Sequence, residues 1–538
     1  MSRSSLDDGD ADATGTTAPV RTAVVGGGND RTARAAKTAL VTVIQTFVSL
    51  VVGLVSVPIL VKTLGRDAYG VWLLLGQLIS YLSLVDFGNA SIAKLKLASP
   101  GGEDERAVKQ DVLTTTLLGT VVTTPLVALA GAAIAAWASR RYAAEILPVA
   151  TIGGAAAILV LAFLVMRLVS LPTFALFGAN MEYRSAFSRL LITTANSLLD
   201  IVAALAGFGI IGLACNRLLA QLALGLNLQR AAKRFVPWYG FTRFDWPKLA
   251  PLLKQNASCL FAQWGNTLVE AVDILVVGLA VGADAVPVYT ITAALPRLLF
   301  MLFNQAMSGA NAGLVGLYAS GDKRRFHFIR TQQEIVTLAC LGIVGAVTLA
   351  VNRGFVSLWV GPDYYGGGLL TLLAVVWYFC VITSRQYYNA LFAAIDFSRT
   401  ARVQVVAGVA GLVIGFVAGR YAGVLGAIAG LVAVRLVANV LNAVRLDELL
   451  AIPSRNHVAT LGGSLVVAIA SCTLGWSVSR VFTADSWLAN GCVGAVVMVT
   501  AGAAAWLLGV PANAKSDLTL RFARLARCLP GLRGTPAT

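Results

Sequence analysis

The chain has 538 residues, of which 57% are hydrophobic and only 13% are charged. A soluble protein of this size needs far more charge to cover its surface, so the composition excludes a soluble globular protein. The formal net charge of +16 is typical of a membrane protein with basic cytoplasmic connections, and we expect no nucleic-acid partner.

The first 35 residues are rich in Asp, Ser, Thr, Gly and Arg, and we interpret them as a flexible cytoplasmic tail. No apolar core follows the first charges, so this segment does not have the pattern of a signal peptide. The glycines of Gly26–Asp30 (GGGND) follow no predicted strand and precede no Lys-Ser or Lys-Thr pair. They are therefore assigned to the tail rather than to a phosphate-binding loop.

Fourteen apolar segments follow, many of them longer than the ~18 residues that indicate a bilayer-spanning helix. The sequence therefore predicts an all-α polytopic membrane protein. The predicted spans are 38–61, 70–95, 110–138, 146–175, 187–208, 210–232, 251–281, 286–318, 328–351, 367–393, 401–419, 422–444, 458–480 and 487–509. The predicted domains are an N-lobe at 36–236, a cytoplasmic linker at 237–250, a C-lobe at 251–446, helices 13 and 14 at 457–510 and a basic C-tail at 511–538.

Lysine and arginine are distributed unevenly between the two sides of the predicted spans. The stretch from Arg21 to Lys37, the even-numbered connections and the C-tail carry 29 of them, and the odd-numbered connections carry seven. Because basic residues are enriched in cytoplasmic connections, this division supports fourteen spans with both chain ends in the cytoplasm. The seven on the other side are Lys62, Arg66, Arg140, Arg141, Arg353, Arg420 and Arg480.

The cysteines and histidines do not form a metal-binding pattern. The chain has seven cysteines, none in a C-x-x-C motif, and six of them lie in apolar runs. We interpret them as small buried hydrophobic residues. His327 and His457 both fall in predicted connections, so we expect neither a metal site nor a cofactor.

A short phrase occurs twice, each time at the end of a long apolar run. Residues 59–72 read ILVKTLGRDAYGVW and residues 276–289 read VVGLAVGADAVPVY, with an offset of 217 residues between Gly65 and Gly282. The offset covers six predicted spans, so the repeats are parallel and are related by an axis along the membrane normal. Transporters commonly use this arrangement, with the substrate path between the two halves. Helices 13 and 14 are then an addition to two six-helix lobes.

The residues around this phrase also carry a resemblance. VPILVKTLGRDAYGVWLLLGQLISYLSLVDFG (Val57–Gly88) resembles the first two helices of Wzx-type bacterial polysaccharide flippases. DILVVGLAVGADAVPVYTITAALPRLL (Asp273–Leu299) resembles their seventh and eighth helices. The family belongs to the multidrug/oligosaccharidyl-lipid/polysaccharide (MOP) exporter superfamily.

The resemblance implies a particular architecture and activity. It implies two lobes around a V-shaped cavity in the bacterial inner membrane. That cavity carries an undecaprenyl-diphosphate-linked oligosaccharide, the repeat unit of a surface polysaccharide, from the cytoplasmic to the periplasmic leaflet. The implied partners are this lipid-linked substrate and the membrane lipids. Polysaccharide polymerase or ligase proteins, and coupling to H⁺ or Na⁺, are left open.

Ionisable residues inside spans are costly and are functional candidates by default. The predicted helix 7 carries a polar stripe at helical spacing, and Arg297 lies on a similar stripe of helix 8. Glu270 and Arg297 each lie eleven residues from the outer helix ends, so both are expected ~16 Å deep and able to meet. The predicted cavity residues are Arg297, Glu270, Asp273, Asn266, Gln263, Asn304 and, on helix 1, Gln45.

Two interpretations of these charges remain open. In the functional one, Arg297 holds the diphosphate or an acidic sugar, because a guanidinium suits bidentate phosphate contacts. Glu270 and Asp273 then neutralise Arg297 in the empty state or couple transport to an ion. In the structural one, the charges form a permanent buried ion pair. Three further residues are predicted to be gate or structural positions: Asp86 at the inner end of helix 2, and Arg167 and Asp200, which we expect to pair. Arg435 has no predicted role.

Three other classes of protein compete with a polysaccharide flippase. A cation-coupled drug antiporter of the same superfamily is weakened by the absence of an acidic residue in helix 1, but Glu270 and Asp273 keep it open. A lipid II flippase has a different signature in its first lobe. A membrane-embedded ligase or glycosyltransferase needs catalytic residues on a sizeable outer loop, and none is predicted here, so we do not expect an enzyme.

Overall fold

We describe the protein from a computed structural model. It describes residues 27–85, 93, 96–97, 105–142, 147–179, 181–248, 251, 272–303, 317–318, 321–393, 397–451, 454–482, 486–511 and 515. Helices dominate these ranges, and no strand occurs in them. Five predicted residues lie outside the described ranges: Gln263, Asn266 and Glu270 on the predicted helix 7, Asn304, and Asp86.

The first lobe contains six helices, which follow the predicted order. They are α1 (Gly27–Leu64), α2 (Arg66–Ser80, continued by a 3-10 turn at Tyr81–Val85), α3 (Glu105–Tyr142), α4 (Val149–Gly178), α5 (Tyr183–Leu205) and α6 (Gly209–Phe235). α1 begins at Gly27, so the expectation of a flexible tail up to residue 35 is wrong for residues 27–35, which are helical. Within the lobe, α4 packs against α3 and α6, and α1 packs against α5.

The second lobe repeats this order. Its helices are α7 (Val272–Ala280), α8 (Ala285–Thr292), α9 (Lys323–Trp359), α10 (Gly368–Ala393) and the stretch Phe397–Leu450, which breaks at Ala422 and Gly423 into α11 and α12. α13 (Ser454–Val481) and α14 (Trp487–Ala504) follow, and both pack against α9. The two additional helices therefore lie on the second lobe.

The described helices are suited to a membrane. Ten of them are long and apolar enough to cross a bilayer, and an eleventh span is formed if α8 and the segment Ala294–Phe303 are counted together. The break within Phe397–Leu450 divides one of the ten into two helices. The prediction of an all-α polytopic membrane protein is confirmed.

The repeated glycines both begin a new helix in the same way. Gly65 has φ of +81° and Gly282 has φ of +151°, in a region of backbone space that glycine adopts at low cost. Asp67 then lies in the first turn of α2, and Asp284 is the residue before α8. The glycine is thus required by the turn, and the acidic residue suits the positive end of the helix dipole.

The two repeated turns lie against each other on one face of the molecule, which we call the distal face. Arg66 Nε donates a hydrogen bond to the carbonyl oxygen of Asp284 at 2.8 Å. Gly70 packs so tightly that a methyl group added to it would lie 2.0 Å from the carbonyl oxygen of Ala283. A methyl group added to Gly278 would likewise clash with the side chain of Leu74. The distal face is therefore closed between the lobes by direct backbone contact.

Apolar side chains from both lobes fill the space beneath this contact. One buried cluster joins α2, α3 and α4 of the first lobe to α7, α8 and α10 of the second. A second cluster joins α1, α2 and α6 to α8 and α9. At ~25 cal/mol per Å² of apolar surface, such burial stabilises the closed distal face.

The connection that follows α6 folds back onto α3. The backbone N–H of Thr242 donates to Thr114 Oγ1 at 2.8 Å, and the Tyr239 hydroxyl donates to Gln229 Oε1 at 2.5 Å. Burial raises the pKa of the Tyr239 hydroxyl, so it remains a donor. The connection between the lobes is thereby fixed to the first lobe at its start.

Candidate functional site

The candidate site lies where α7, α8 and α10 meet beneath the closed distal face. Asp273, in α7, is only 4% exposed. Its Oδ2 accepts a hydrogen bond from the hydroxyl of Tyr289 in α8 at 2.6 Å. The Tyr378 hydroxyl in α10 lies 3.3 Å from the same oxygen, which is long for such a bond. A carboxylate in an apolar interior needs such donors to remain charged.

Arg297 supplies the positive charge of the site. Its guanidinium is near enough to the Asp273 carboxylate for a favourable charge interaction. It nevertheless makes no hydrogen bond or ion pair through its side chain within the described ranges, and the side chain is exposed. An arginine with an exposed guanidinium in a membrane-spanning segment is costly, so the charge is available for an anionic ligand.

A bend in the chain places Arg297 at this position. α8 ends at Thr292, and the segment Ala294–Phe303 continues at an angle of 45°. Pro296 lies in the first turn of the continuation and has no backbone N–H to donate to Thr292. Arg297 follows directly, and its backbone N–H bonds to the carbonyl oxygen of Ala293 at 3.0 Å. The bend is therefore encoded by the proline.

The first lobe also reaches the site. Tyr81 lies at the start of the 3-10 turn after α2, and the next residue, Leu82, shares a buried apolar cluster with Val272 of α7 and Tyr289 of α8. The Tyr81 hydroxyl is buried and bonds to no described residue. The site thus lies at the boundary between the lobes, where the relative position of the lobes controls access to it.

The sequence predicted two of these residues and missed three. Arg297 and Asp273 were predicted because charges are rare in spans, and the structure brings them together; Glu270, the expected partner of Arg297, lies outside the described residues. Tyr81, Tyr289 and Tyr378 were missed, because tyrosines near span ends usually serve as interface anchors. Two features of the sequence could have indicated them. Tyr289 aligns with Trp72 in the repeat, and Tyr378 lies in the middle of a predicted span.

The remaining predicted residues lie apart from this site. Gln45 is half-buried on α1. Arg167 is buried and donates to Thr123 and Thr124 of α3 at 2.5 and 3.0 Å. Asp200 instead accepts hydrogen bonds from the amides of Asn216 and Asn196. The structure therefore gives Arg167 and Asp200 different partners in place of the expected pair.

A second cluster of buried charges stabilises the opposite end of the second lobe. Arg330 in α9 bonds to Glu334 at 3.2 Å and to Asp447 in α12 at 2.5 Å, and all three side chains are buried. Its guanidinium lies 5.7 Å from the ring centre of Tyr387. The sequence analysis counted Arg330 among the basic residues of the preceding connection, although it lies just inside the predicted span 328–351. Arg330 contacts both carboxylates directly within the lobe, so we regard this cluster as structural.

Arg435, which had no predicted role, lies in a buried contact between two helices. It is 3% exposed, and its guanidinium lies 5.5 Å from the ring centre of Trp377. The attraction between a desolvated cation and an indole ring is worth ~2 kcal/mol or more. Arg435 and Trp377 therefore join α12 to α10.

A protein-family comparison matches residues 90–312 to a family described as polysaccharide biosynthesis protein. This range includes α3 to α8 and ends beyond Arg297. No curated protein sequence matches the chain. The matched range contains the helix pair 273–299 and begins after the pair 57–88.

Solved structures define the class of fold. The chain is similar to the inward-facing conformation of a multidrug resistance MATE family transporter of the MOP superfamily, with a TM-score of 0.57 and 15% identity, over 76% of this chain and 98% of that one. It is also similar to a MATE point mutant in which a proline is replaced by alanine, with a TM-score of 0.53 and 15% identity, over 77% and 96%. A third is a MOP superfamily transporter from Pyrococcus furiosus with a reported reverse polarity of its binding pocket, with a TM-score of 0.51 and 15% identity, over 77% and 96%.

Together, these findings show which class of fold the chain adopts. The chain is a multi-pass membrane protein whose fold is similar to that of MOP superfamily transporters.

Proposed function

We propose that the protein is a flippase that carries an undecaprenyl-diphosphate-linked oligosaccharide across the bacterial inner membrane during surface polysaccharide synthesis. The observation that carries this proposal is Arg297, an exposed guanidinium at the boundary of the lobes. A guanidinium forms two parallel hydrogen bonds to a phosphate, and in a site shielded from water these bonds are strong. The match to a polysaccharide biosynthesis family supports a glycan cargo.

The mechanism follows from the arrangement of the lobes. In the described state the distal face is closed, so a substrate enters from the basic face, which we assign to the cytoplasm. The diphosphate then displaces Asp273 as the electrostatic partner of Arg297, while the prenyl chain remains in lipid. Rocking of the lobes opens the distal face and releases the head group. Both chain ends remain cytoplasmic, and α13 and α14 offer a surface to a polymerase or ligase.

Complementation in the host tests this proposal. The gene is deleted, and lipid-linked oligosaccharide and surface polysaccharide are followed after adding back the wild type or Arg297→Ala. We expect intermediate to accumulate on the cytoplasmic side and only the wild type to restore export. Full restoration by Arg297→Ala at equal protein level would remove Arg297 from substrate binding, and unchanged polysaccharide in the deletion strain would contradict the flippase itself.

One observation favours a second candidate, a cation-coupled drug antiporter. Asp273 is a buried carboxylate in α7, and several solved structures of similar fold are multidrug transporters. A carboxylate at this depth would bind H⁺ or Na⁺ in exchange for an organic cation. Altered drug tolerance with normal polysaccharide in the deletion strain would support this alternative.

A further inference from the structure

Among the prolines inside the described helices, Pro58 and Pro296, one in each lobe, each leave a helix carbonyl without its backbone donor. Pro58 lies inside α1, and the carbonyl four residues before it belongs to Leu54. Pro296 lies after the bend of α8, and the corresponding carbonyl belongs to Thr292. Proline has no N–H, so neither carbonyl has its usual partner within the helix. A carbonyl left without a partner in an apolar interior costs ~1–3 kcal/mol.

A single helix supplies a side-chain donor to both carbonyls. Asn352 of α9 donates from Nδ2 to the Thr292 carbonyl oxygen at 2.9 Å. Trp359, also of α9, donates from Nε1 to the Leu54 carbonyl oxygen at 2.7 Å. The two donors lie seven residues apart, which is about two helical turns, so they project from one face of α9.

The bond from Asn352 is embedded in the second lobe. Asn352 is completely buried, and its Nδ2 also lies 3.1 Å from Thr371 Oγ1 in α10. The Thr292 hydroxyl accepts a hydrogen bond from the backbone N–H of Gly366 at 2.8 Å. Thr292 is therefore fixed through both its carbonyl and its side chain, five residues before Arg297.

The bond from Trp359 crosses between the lobes. Leu54 belongs to the first lobe and Trp359 to the second, and the apolar cluster around α1, α8 and α9 surrounds them. This bond joins the lobes in the state in which the distal face is closed. Separation of the lobes on that face breaks it.

We propose that Asn352 and Trp359 are positioning residues that stabilise the two proline breaks. Asn352 fixes the bend of α8 and with it the position of Arg297. Trp359 fixes α1 against the second lobe and favours the state with a closed distal face. The importance of Arg297 itself rests on the proposed function, whereas the two hydrogen bonds and their geometric consequences do not.

The first test measures the position of residue 297 without a substrate. Arg297→Cys is labelled with a charged thiol reagent in purified protein, and background labelling of the native cysteines is subtracted using the chain with Arg297 intact. Asn352→Asp keeps the side-chain shape but replaces the donor by an oxygen. We expect it to change the labelling rate about tenfold, the equivalent of one lost buried hydrogen bond.

Asn442→Asp is the matched control. Asn442 is also buried in the second lobe, and its Nδ2 bonds to no described residue. We expect this variant to leave the labelling rate unchanged. Equal rates for Asn352→Asp and the chain with Asn352 intact would overturn the role of Asn352. A changed labelling rate, together with no movement of lipid-linked oligosaccharide by the chain with Arg297 and Asn352 intact, would uphold the role of Asn352 while rejecting the flippase.

The second test is a double-mutant cycle between Trp359 and Pro58. Labelling of Ala283→Cys, which lies under the distal contact, reports opening of that face. Trp359→Phe removes the donor and keeps an aromatic ring, and we expect labelling about tenfold faster. Pro58→Ala returns a backbone donor to Leu54, so Trp359→Phe should have little further effect in that background.

Two results would overturn the role of Trp359 in this cycle. One is an equal effect of Trp359→Phe in both backgrounds, which would show that the ring acts through packing alone. The other is no effect in either background. Trp487→Phe is the matched control, because Trp487 also lies near the end of α9, against Phe355, but donates to neither carbonyl. It should leave the labelling rate unchanged.

Discussion

Arg297 is the residue on which the proposed transport depends. Its side chain is exposed, and the opposing carboxylate of Asp273 is close enough for electrostatic interaction but is bonded by Tyr289 instead. A permanent structural ion pair would show direct contact between the two charges, as Arg330 does with Asp447. Arg297 makes no such direct contact with any carboxylate in the part of the chain that the structure describes, which distinguishes it from Arg330.

Replacement of Arg297 should abolish transport without unfolding the protein. We expect Arg297→Ala to lose about 3 kcal/mol of binding energy toward a polyprenyl diphosphate, because the charged group that bonds to the phosphate is removed. Arg297→Lys should recover only part of it, because an ammonium cannot form the bidentate contact. Binding isotherms in nanodiscs measure both. Arg480→Ala, at the end of α13, is the control and should bind like the wild type.

Neutralising Asp273 should have the opposite effect on affinity. In Asp273→Asn the amide keeps a similar shape, while the charge that competes with a bound diphosphate disappears. We expect tighter binding by about 1 kcal/mol and slower release. Single-turnover release of a polyprenyl diphosphate would check this. Weaker binding would show instead that Asp273 is needed to place Arg297.

The residues of the site could be predicted from sequence only in part. Charges such as Arg297 and Asp273 are conspicuous in an apolar span because their desolvation is costly. Tyrosine is common in membrane proteins, and its ring is compatible with lipid or with the interior. The contribution of Tyr289 and Tyr378 depends on the packing of α7 against α8 and α10, which no local pattern specifies.

At the scale of helices, the contact between α2 and the turn before α8 controls the distal face. Gly70→Ala should open that face, because its methyl group would lie 2.0 Å from the Ala283 carbonyl oxygen. Gly76→Ala is a matched control on the same helix, since nothing lies within 4 Å of the added methyl group. Labelling of a cysteine at position 283 should accelerate in the first variant only. Equal labelling in both would contradict tight closure.

The ion cluster of α9 and α12 should dominate the stability of the second lobe. Arg330→Met leaves Glu334 and Asp447 buried without their cation, and we expect a loss of about 3–5 kcal/mol. Arg445→Met removes a more exposed pair with Glu448 and should cost less than about 1 kcal/mol. Unfolding in detergent, followed by the fluorescence of a thiol probe, compares the two. Similar losses would contradict the structural assignment.

The sequence predicted which segments form helices, but it predicted the helix ends and bends less well. Apolar runs identify the spans because the bilayer requires about 20 apolar residues. The helical start of α1 at Gly27 was not predicted, because its first residues are polar and lie outside the apolar run. The bend after α8 was signalled by Pro296, but its angle is fixed by Asn352 and Thr292, which come from tertiary packing.

For the whole molecule, the internal repeat and the closed distal face have a common origin. The two copies of the phrase lie in contact around the boundary of the lobes, so each lobe supplies half of the same closure. Duplicated lobes with this arrangement permit two alternative packings of similar energy, which alternating access requires. The sequence revealed the repeat, but the contact between its copies could be recognised only in the folded chain.

Translocation by purified protein tests the proposed flippase activity and the role of Arg297 most directly. The protein is reconstituted in liposomes that contain an undecaprenyl-diphosphate-linked oligosaccharide, and a membrane-impermeant glycosidase reports the oligosaccharide exposed on the outer surface. We predict that the wild type exposes the initially protected pool, that Arg297→Ala behaves like protein-free liposomes, and that Arg480→Ala behaves like the wild type. A protected pool that the wild type leaves unchanged would contradict the flippase, and equal rates for the wild type and Arg297→Ala would contradict the site.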